Sequence, residues 1–452
     1  MAPPALKDPP HERLLRFLAA GGSKALLIRP AAMGVAFVTH VLLARLMGAT
    51  EYGVFIYVYS WTYFLGLLCR LGYDRALVRF GTVFLAQGEV AAFNGLARIA
   101  LRTALAVGTG IAAVSAAVLT LRPQWVGAQY QQCFLVGLTF VPFLAMHNVY
   151  EGFAQSFKRV LQAMVPEQIL RQGLLGVLAF AYYEKTGTAP SATIAIALHG
   201  IAVILTLGVD HAWYRAVRPR GEKAATPARR EWLNYAVQMS LVSNLGTWLL
   251  QADLFLVGAL LGPVSASLYS AASRIANLVA WVDVAAVIVF GPVVAEISAR
   301  QARGELARYS KLVARYTLAA SLLGALALWT LRDFVLSLFG ADFLKAAAPM
   351  GILFLGYSLR ELFGPAATLL NLSGHQRETL RVLVATLPVN LALNLVLIAQ
   401  WQTAGAACAT ALTVFGFNGL LWWTVRRRLH VDPSFVGRQL ESPLSREGGE
   451  AR

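Results

Sequence analysis

Apolar runs of about 20 residues recur along the chain from residue 22 to residue 425, and each is long enough to cross the hydrocarbon core of a bilayer. Backbone in lipid must satisfy its hydrogen bonds within its own segment, so such runs cross as helices. The sequence therefore predicts an all-α integral membrane protein with about twelve transmembrane helices. The predicted spans are 22–47, 51–72, 96–119, 130–156, 166–183, 190–213, 233–261, 266–291, 312–331, 345–371, 379–399 and 404–425.

The composition excludes a water-soluble domain. Apolar residues make up 57% of the chain and charged residues only 14%, whereas soluble proteins average about 25% charged residues. The net charge of +16 does not indicate nucleic-acid binding, because its distribution has a topological explanation. Loops on one side of the predicted membrane hold 28 Lys and Arg, and loops on the other side hold 5. This bias predicts that both termini lie in the cytoplasm.

A charged stretch at residues 214–232, rich in Arg, Pro and Gly, interrupts the apolar runs. It predicts a cytoplasmic linker between two six-helix bundles, residues 22–213 and 233–425. Residues 1–21 are then a cytoplasmic N-terminal segment and residues 426–452 a cytoplasmic tail. The two halves share a weak internal similarity, with one Gly-centred turn at Gly48 and another at Gly262. Parallel repeats of this kind are found in transporters that enclose a central cavity.

Four stretches carry a resemblance to a known family. They are LLARLMGATEYGVFIYVYSW (residues 42–61), LGYDRALVRF (71–80), LNLSGHQRETLRVLVATLPVNLALNLVLI (370–398) and TAGAACATAL (403–412). In this order they resemble the bacterial polysaccharide flippases, relatives of the multidrug (MATE) exporters and lipid II flippases in the multidrug/oligosaccharidyl-lipid/polysaccharide (MOP) transporter superfamily.

The resemblance implies a MATE-like transporter that works by alternating access. Its cargo would be an undecaprenyl-pyrophosphate-linked oligosaccharide, flipped to the periplasmic leaflet for O-antigen, capsule or exopolysaccharide assembly. A polysaccharide polymerase and chain-length machinery would be its partners. The alternatives are a cation-coupled multidrug exporter, which would carry an acidic residue in the first helix, and a lipid II flippase, which would have about fourteen helices. Here the chain has no Asp or Glu between Glu12 and Glu51, and a cationic cavity attracts anions.

Basic residues in the first two spans are candidates for binding the pyrophosphate. Arg29 lies about 10 Å into the first span at 1.5 Å per residue, Lys24 precedes it, and Arg70 ends the second span. The planar guanidinium of Arg binds phosphate oxygens bidentately. The competing interpretation is that these side chains reach the lipid headgroups.

Charged residues in the second half are candidates for further phosphate-binding or ion-binding sites. Arg274 and Asp253 lie at matching depths, so they either neutralise each other or act on the phosphate and its release. Asp253 and Asp283 are also candidate sites for a coupling proton or sodium ion. Arg360 and Glu361 are adjacent, about 100° apart on a helix, so we expect them to face different partners and one to face the cavity.

The remaining polar residues receive structural interpretations. Asp74 and Arg75 are expected to stabilise a cytoplasmic turn at the gating surface. His147 and His199 are interpreted as neutral packing residues, with a proton relay as the alternative, and Asp210 and His211 as solvated helix-end residues. No metal cluster, paired cysteine or nucleotide-binding loop occurs in the sequence, so we expect no cofactor other than an ion gradient and no enzymatic activity. A membrane-bound polymerase or ligase, which would present a large periplasmic loop, is the alternative from another class.

Overall fold

The computed structural model describes residues 23–219, 225, 229–300 and 303–437. In these residues every regular element is a helix and none is a strand, which confirms the all-α prediction. The longer helices are α1 (Ser23–Cys69), α2 (Val90–Leu121), α3 (Ala128–Leu138), α4 (Val141–Ser156), α5 (Arg171–Thr186), α6 (Ala192–Val217), α7 (Arg229–Leu261), α8 (Pro263–Ala299), α9 (Arg303–Thr330), α10 (Ala347–Leu359), α11 (Ala366–Leu372) and α12 (Gln376–Leu429).

Short helical pieces connect or extend these helices. They are Tyr73–Ala76, Leu77–Gly81, Thr82–Gln87, Pro123–Trp125, Val160–Val165, Pro166–Leu170, Arg332–Ser337, Ala341–Ala346 and Arg360–Phe363. Of these, Leu77–Gly81 and Pro166–Leu170 are π-helical, and Arg360–Phe363 is a 3₁₀ turn.

Six helices of the described chain are individually long and apolar enough to cross a membrane, and two further spans are pairs of helices bent at a break. The bent pairs are α3 with α4, at 50°, and the two parts of α7, at 53°. Two of the six, α1 and α12, are too long for a single crossing of a core about 30 Å thick. Each of the twelve predicted spans coincides with a helical stretch of the structure.

The helix α1 is a hairpin of two antiparallel legs that reverses at Gly48. This residue has φ 74° and ψ 173°, a conformation that glycine adopts without steric cost. The ring of His40 lies 5.9 Å from the ring of Tyr59, 19 residues later. In one straight helix these residues would be about 28 Å apart, so the chain must turn back between them.

The helix α12 reverses in the same way at Trp401 and Gln402, whose backbone angles are non-helical. The amide of Asn390 donates a hydrogen bond of 3.1 Å to the hydroxyl of Thr413, 23 residues further on. A straight helix would separate the two by about 35 Å. The reversal lies between the two spans predicted at 379–399 and 404–425.

The chain forms two compact units. The N-terminal unit comprises Leu27–Ser270 with Ser337–Phe343, and the C-terminal unit comprises Ala271–Leu336 with the described residues before Leu27 and from Leu344 onward. The boundary thus falls after Ser270. The expected division at residues 214–232 stays a prediction, since part of that segment lies outside the described residues.

Glycines allow close helix packing within the N-terminal unit. A Cβ on Gly53 would lie 1.9 Å from the carbonyl oxygen of Pro263, and one on Gly258 would lie 2.2 Å from the ring of Tyr57. Lipid provides little hydrophobic drive between helices, so close backbone contact at small residues supplies much of the attraction. These contacts place the second leg of α1, which carries the polar residues described below, against α7 and α8.

Candidate functional site

In the described part of the N-terminal unit, three ion pairs have both side chains buried. The first joins Arg70, near the end of α1, to Asp74, with Nη1 3.0 Å from Oδ2. Both side chains are buried, and Asp74 also lies 3.4 Å from Arg75. Gly72, at φ 76°, turns the chain between them. Arg70 is therefore neutralised in this conformation, whereas the expected roles of Arg70 in phosphate binding and of Asp74 and Arg75 in gating stay predictions.

The second pair joins Arg171 and Glu167, with Nη2 3.3 Å from Oε1. Glu167 lies in the π-helical turn Pro166–Leu170, directly before α5. The hydroxyl of Tyr63 donates to the same Glu167 oxygen at 3.3 Å, and the Arg171 guanidinium lies over the Tyr63 ring at 5.7 Å. Arg171 is only 3% exposed.

The third pair joins His147 on α4 to Asp210 on α6. The atoms His147 Nδ1 and Asp210 Oδ2 are 2.6 Å apart, and the residues are 2% and 6% exposed. The interpretation of Asp210 as a solvated helix end is therefore wrong, whereas that of His147 as a neutral packing residue rather than a proton relay stays a prediction. The neighbouring His211 is exposed, and its ring hydrogen-bonds to the hydroxyl of Tyr150 at 2.7 Å.

Several polar atoms beside these pairs are buried without a hydrogen-bond partner in the described residues. They include Nε and Nη1 of Arg171, Oε1 of Gln172 and Nε2 of His199. Tyr59 connects two of these side chains, since its hydroxyl accepts a hydrogen bond of 2.9 Å from Gln172 and its ring lies 4.8 Å from that of His199. Buried polar atoms of this kind are normally satisfied by ordered water.

The C-terminal unit brings together three residues that the sequence suggested separately. Nη2 of Arg360 lies 3.5 Å from Oδ2 of Asp283, and its Nε lies 3.0 Å from Oε1 of Glu361. Nη2 also donates to the carbonyl of Ala280 at 3.1 Å. The expectation that Arg360 and Glu361 face different partners is wrong, because α10 ends at Leu359 and the tighter turn Arg360–Phe363 replaces the α-helix.

A narrow crevice adjoins this cluster. Asp283, Thr317 and Glu361 line its polar side, and Phe290 and Pro365 lie among its apolar residues. Glu361 is 5% exposed, so its charge depends on Arg360 for compensation. This crevice is the polar region of the C-terminal unit in which an ion or an anionic group could be held.

The other candidate residues remain apart from these clusters. Arg29 is exposed and has no ion-pair partner among the described residues. The Lys24 side chain lies outside the described residues. Asp253 accepts hydrogen bonds from the hydroxyl of Tyr269 and from the backbone N–H of Leu254. Nε of Arg274 is buried with no hydrogen-bond partner in the described part of the chain. The expected pairing of Asp253 with Arg274 stays a prediction.

The described residues contain no candidate metal site. These contain no group of three or more His, Cys, Asp and Glu side chains arranged to hold a metal ion. Cys69, Cys133 and Cys408 are free thiols.

The fold is that of the MOP superfamily transporters. An inward-facing multidrug resistance MATE family transporter matches with a TM-score of 0.70 and 15% identity, over 89% of this chain and 94% of its own. The lipid II flippase MurJ matches with a TM-score of 0.68 and 13% identity, over 89% of this chain and 87% of its own. A MOP transporter from Pyrococcus furiosus matches with a TM-score of 0.64 and 14% identity, over 94% and 97%. These similarities confirm the predicted MATE-like, multi-pass membrane fold.

The sequence also matches a protein family. A family model described as polysaccharide biosynthesis protein matches residues 18–298, more than half of the chain. The protein therefore belongs to the polysaccharide biosynthesis protein family, as the sequence resemblance predicted. No individually curated protein matches the sequence.

Proposed function

We propose that the protein is a flippase that moves undecaprenyl-pyrophosphate-linked oligosaccharide repeat units from the cytoplasmic to the periplasmic leaflet of a bacterial inner membrane. It works by alternating access, with both termini in the cytoplasm, and supplies surface polysaccharide assembly. The polymerase and chain-length machinery of that pathway would receive its product. Membership of the polysaccharide biosynthesis family and the MATE-like fold support transport of a polysaccharide precursor rather than catalysis.

The choice of cargo rests on the positive charge of the first leg of α1. Arg29 is exposed, no described residue forms an ion pair with it, and the chain has no acidic residue between Glu12 and Glu51. By contrast, Arg70, Arg171 and Arg360 are each neutralised by a carboxylate within 3.5 Å. A guanidinium that lacks a counter-ion, as Arg29 does among the described residues, is costly about 10 Å into a membrane helix, and a pyrophosphate would remove that cost.

The same feature disfavours export of cationic drugs. A cation on the first helix repels a cationic drug and leaves no carboxylate there for a coupling ion. Pocket polarity has been used in this way for the Pyrococcus furiosus transporter of the same fold, whose reversed polarity suggests a different function. Lipid II, the cargo of the flippase MurJ, is the closest competing cargo because it too carries a pyrophosphate.

The energy source in this proposal is a proton or sodium gradient. Asp253, Asp283 and Glu361 are the candidate carriers in α7, α8 and the turn after α10. Of these, Asp283 and Glu361 lie on one crevice with Arg360, so an ion bound there would change the charge balance around Arg360.

The test is the pool of lipid-linked oligosaccharide in cells that lack the protein and receive wild type, Arg29→Ala or Arg29→Lys. We expect cytoplasm-facing repeat units to accumulate without the protein and wild type to clear them. Arg29→Ala should slow the clearance about tenfold, which corresponds to about 1.4 kcal/mol, and Arg29→Lys should restore part of it because it keeps the charge.

The matched control is Arg122→Ala, which removes an exposed Arg that follows α2. This variant should clear the pool like wild type at equal protein level. An unchanged pool in the deletion strain, with surface polysaccharide intact, would contradict the proposed cargo, and sensitivity to toxic cations would then point to drug export. If Arg29→Ala clears the pool at the wild-type rate, Arg29 does not bind the pyrophosphate during transport.

A further inference from the structure

The ion pairs inside the N-terminal unit differ in one chemical property. Arg70–Asp74 and Arg171–Glu167 each contain a guanidinium, which does not lose its proton in proteins. His147–Asp210 contains an imidazole, which changes charge between about pH 5 and pH 8 when unperturbed. Of the three, it is therefore the pair whose net charge can change while the carboxylate stays ionised.

We infer that His147 and Asp210 form a proton-exchange site of the transport cycle, with the proton carried on the His147 imidazole. This inference rests on the proposed function, because it supplies the coupling ion for the flippase. In the loaded state His147 is an imidazolium whose Nδ1 lies against Oδ2 of Asp210, and the pair is neutral. Release of the Nε2 proton to water leaves a neutral imidazole that keeps its Nδ1 proton, and a net charge of −1.

Burial gives this proton its effect on conformation. His147 and Asp210 are 2% and 6% exposed, so the unloaded pair would place an uncompensated carboxylate in a low-dielectric interior, which is costly. The compact arrangement described here therefore favours the loaded pair. An arrangement that hydrates α4 and α6 would favour release. A site that binds its ion differently in two conformations is the requirement for coupling.

Other charged and titratable groups lie near the pair and contribute to the net charge of the interior. The titratable groups that act on the pair are Glu167, Arg171 and Tyr150, and Glu151 and Arg70 act in turn on Glu167. The charged residues of α2, Arg98 and Arg102, are exposed, and α3 has no Asp, Glu, Lys, Arg or His. The two Arg–carboxylate pairs are each neutral in sum, so the net charge of the interior depends on the protons held by His147 and Glu151.

A route for the proton is indicated by the unpaired polar atoms beside the pair. Nε and Nη1 of Arg171, Oε1 of Gln172 and Nε2 of His199 are buried and lack partners in the described residues, although Arg171 is only 3% exposed. Both donors and acceptors are present, which is the requirement for ordered water with two to four partners. Such water would connect the interior of the unit to the pair without any movement of the helices.

The first test measures proton binding directly. The full-length protein, labelled with ¹⁵N-histidine and held in lipid nanodiscs, is titrated from about pH 5 to pH 8. The chain has 7 histidines, and the resonance missing from His147→Gln identifies His147. We expect this imidazole to change charge within the titrated range. An imidazole that keeps one charge state throughout would overturn the inference, whatever the cargo proves to be.

The second test separates proton exchange from structure. His147→Arg keeps a cation against Asp210 but cannot release its proton, as in the Arg171–Glu167 pair. We expect normal protein level and thermal stability but at least about tenfold slower clearance of the lipid-linked pool, a loss of about 1.4 kcal/mol. The control His211→Gln, on the adjacent residue, should clear the pool normally.

Clearance by His147→Arg at the wild-type rate would overturn the inference. If His147→Arg does not fold, the titration of the wild-type protein decides the matter. A deletion strain with no accumulated pool would instead contradict the proposed function and leave the titration result standing. The two failures are therefore distinguishable.

Discussion

The backbone N–H of Phe435 donates a hydrogen bond of 2.9 Å to the carbonyl oxygen of Leu362, across the break that follows α10. Lys311 and Arg315 on α9 donate to the carbonyls of Gly437 and Phe435. The segment 431–437, which follows α12, thus passes over the break and satisfies a carbonyl that the interrupted helix leaves unpaired. It holds in place the turn that carries Arg360 and Glu361.

We predict that Gly364→Ala destabilises the C-terminal unit. Gly364 has φ 67°, and a Cβ there would lie 2.1 Å from the carbonyl oxygen of Pro433. Strained backbone and displacement of the segment 431–437 should lower the free energy of unfolding by about 1–3 kcal/mol. Thermal unfolding of the detergent-solubilised protein measures this. Gly416→Ala is the matched control, because a Cβ there meets nothing within 4 Å; an equal loss in both variants would contradict the prediction.

Asp432 should stabilise the same segment in a pH-dependent way. Burial acts to raise its pKa, but hydrogen bonds from Trp422 and Ser434 and the nearby charge of Arg426 outweigh burial and hold the pKa below its ordinary value. Since the folded pKa is below the unfolded value of about 3.9, the stabilisation is complete at pH values above about 4–5. It is lost as the pH falls through the lower, folded pKa.

The test compares Asp432→Asn with wild type in thermal unfolding at pH 7 and near pH 3. The variant should unfold at a lower temperature at pH 7, and the difference should shrink at the acidic pH. Asp333→Asn removes an exposed carboxylate, 73% accessible, from a surface pair with Arg332, and should change little at either pH. A difference that is constant with pH would show that the Asp432 charge does not contribute.

Arg360 should be required for the stability of its cluster. In Arg360→Ala, Glu361 would remain as a buried carboxylate with its cation removed, and breaking a buried pair in this way costs about 3–5 kcal/mol. The double variant Arg360→Ala/Glu361→Gln should recover much of that loss, because the amide needs no counter-ion. Arg360→Lys should be intermediate, since an ammonium lacks the fork that reaches Asp283, Glu361 and the carbonyl of Ala280 together.

A double-mutant cycle in chemical or thermal unfolding measures this coupling. If the double variant were less stable than Arg360→Ala alone, Glu361 would not be the group left uncompensated.

The sequence predicted the fold well because membrane spans depend on local composition. The reversal at Gly48 could be predicted, since an apolar stretch twice the bilayer thickness must turn and glycine permits the turn.

The ion pairs in the interior of the N-terminal unit were harder to predict from the sequence. His147 and Asp210 are 63 positions apart, and no local pattern links them. Glu167 and Arg171 have the i,i+4 spacing of a helical ion pair, but their place at the start of a predicted span made them look solvated. The contact between Arg360 and Glu361 depends on a break that the Gly364–Pro365 pair signals only weakly.

The last prediction concerns the Arg171–Glu167 pair, which we expect to be structural. Glu167→Gln would leave Arg171 buried without a counter-ion, with Nε and Nη1 already unpaired in the described residues, at a cost of about 3–5 kcal/mol. Replacing both residues with apolar ones of similar size, Glu167→Leu with Arg171→Met, should restore most of the stability, because a well-packed apolar pair avoids the desolvation of two charges. The protein level in membranes and the unfolding temperature measure the effect. If the doubly apolar variant is stable but clears the lipid-linked pool slowly, the pair contributes to transport as well as to folding, since packing alone would then have been repaired.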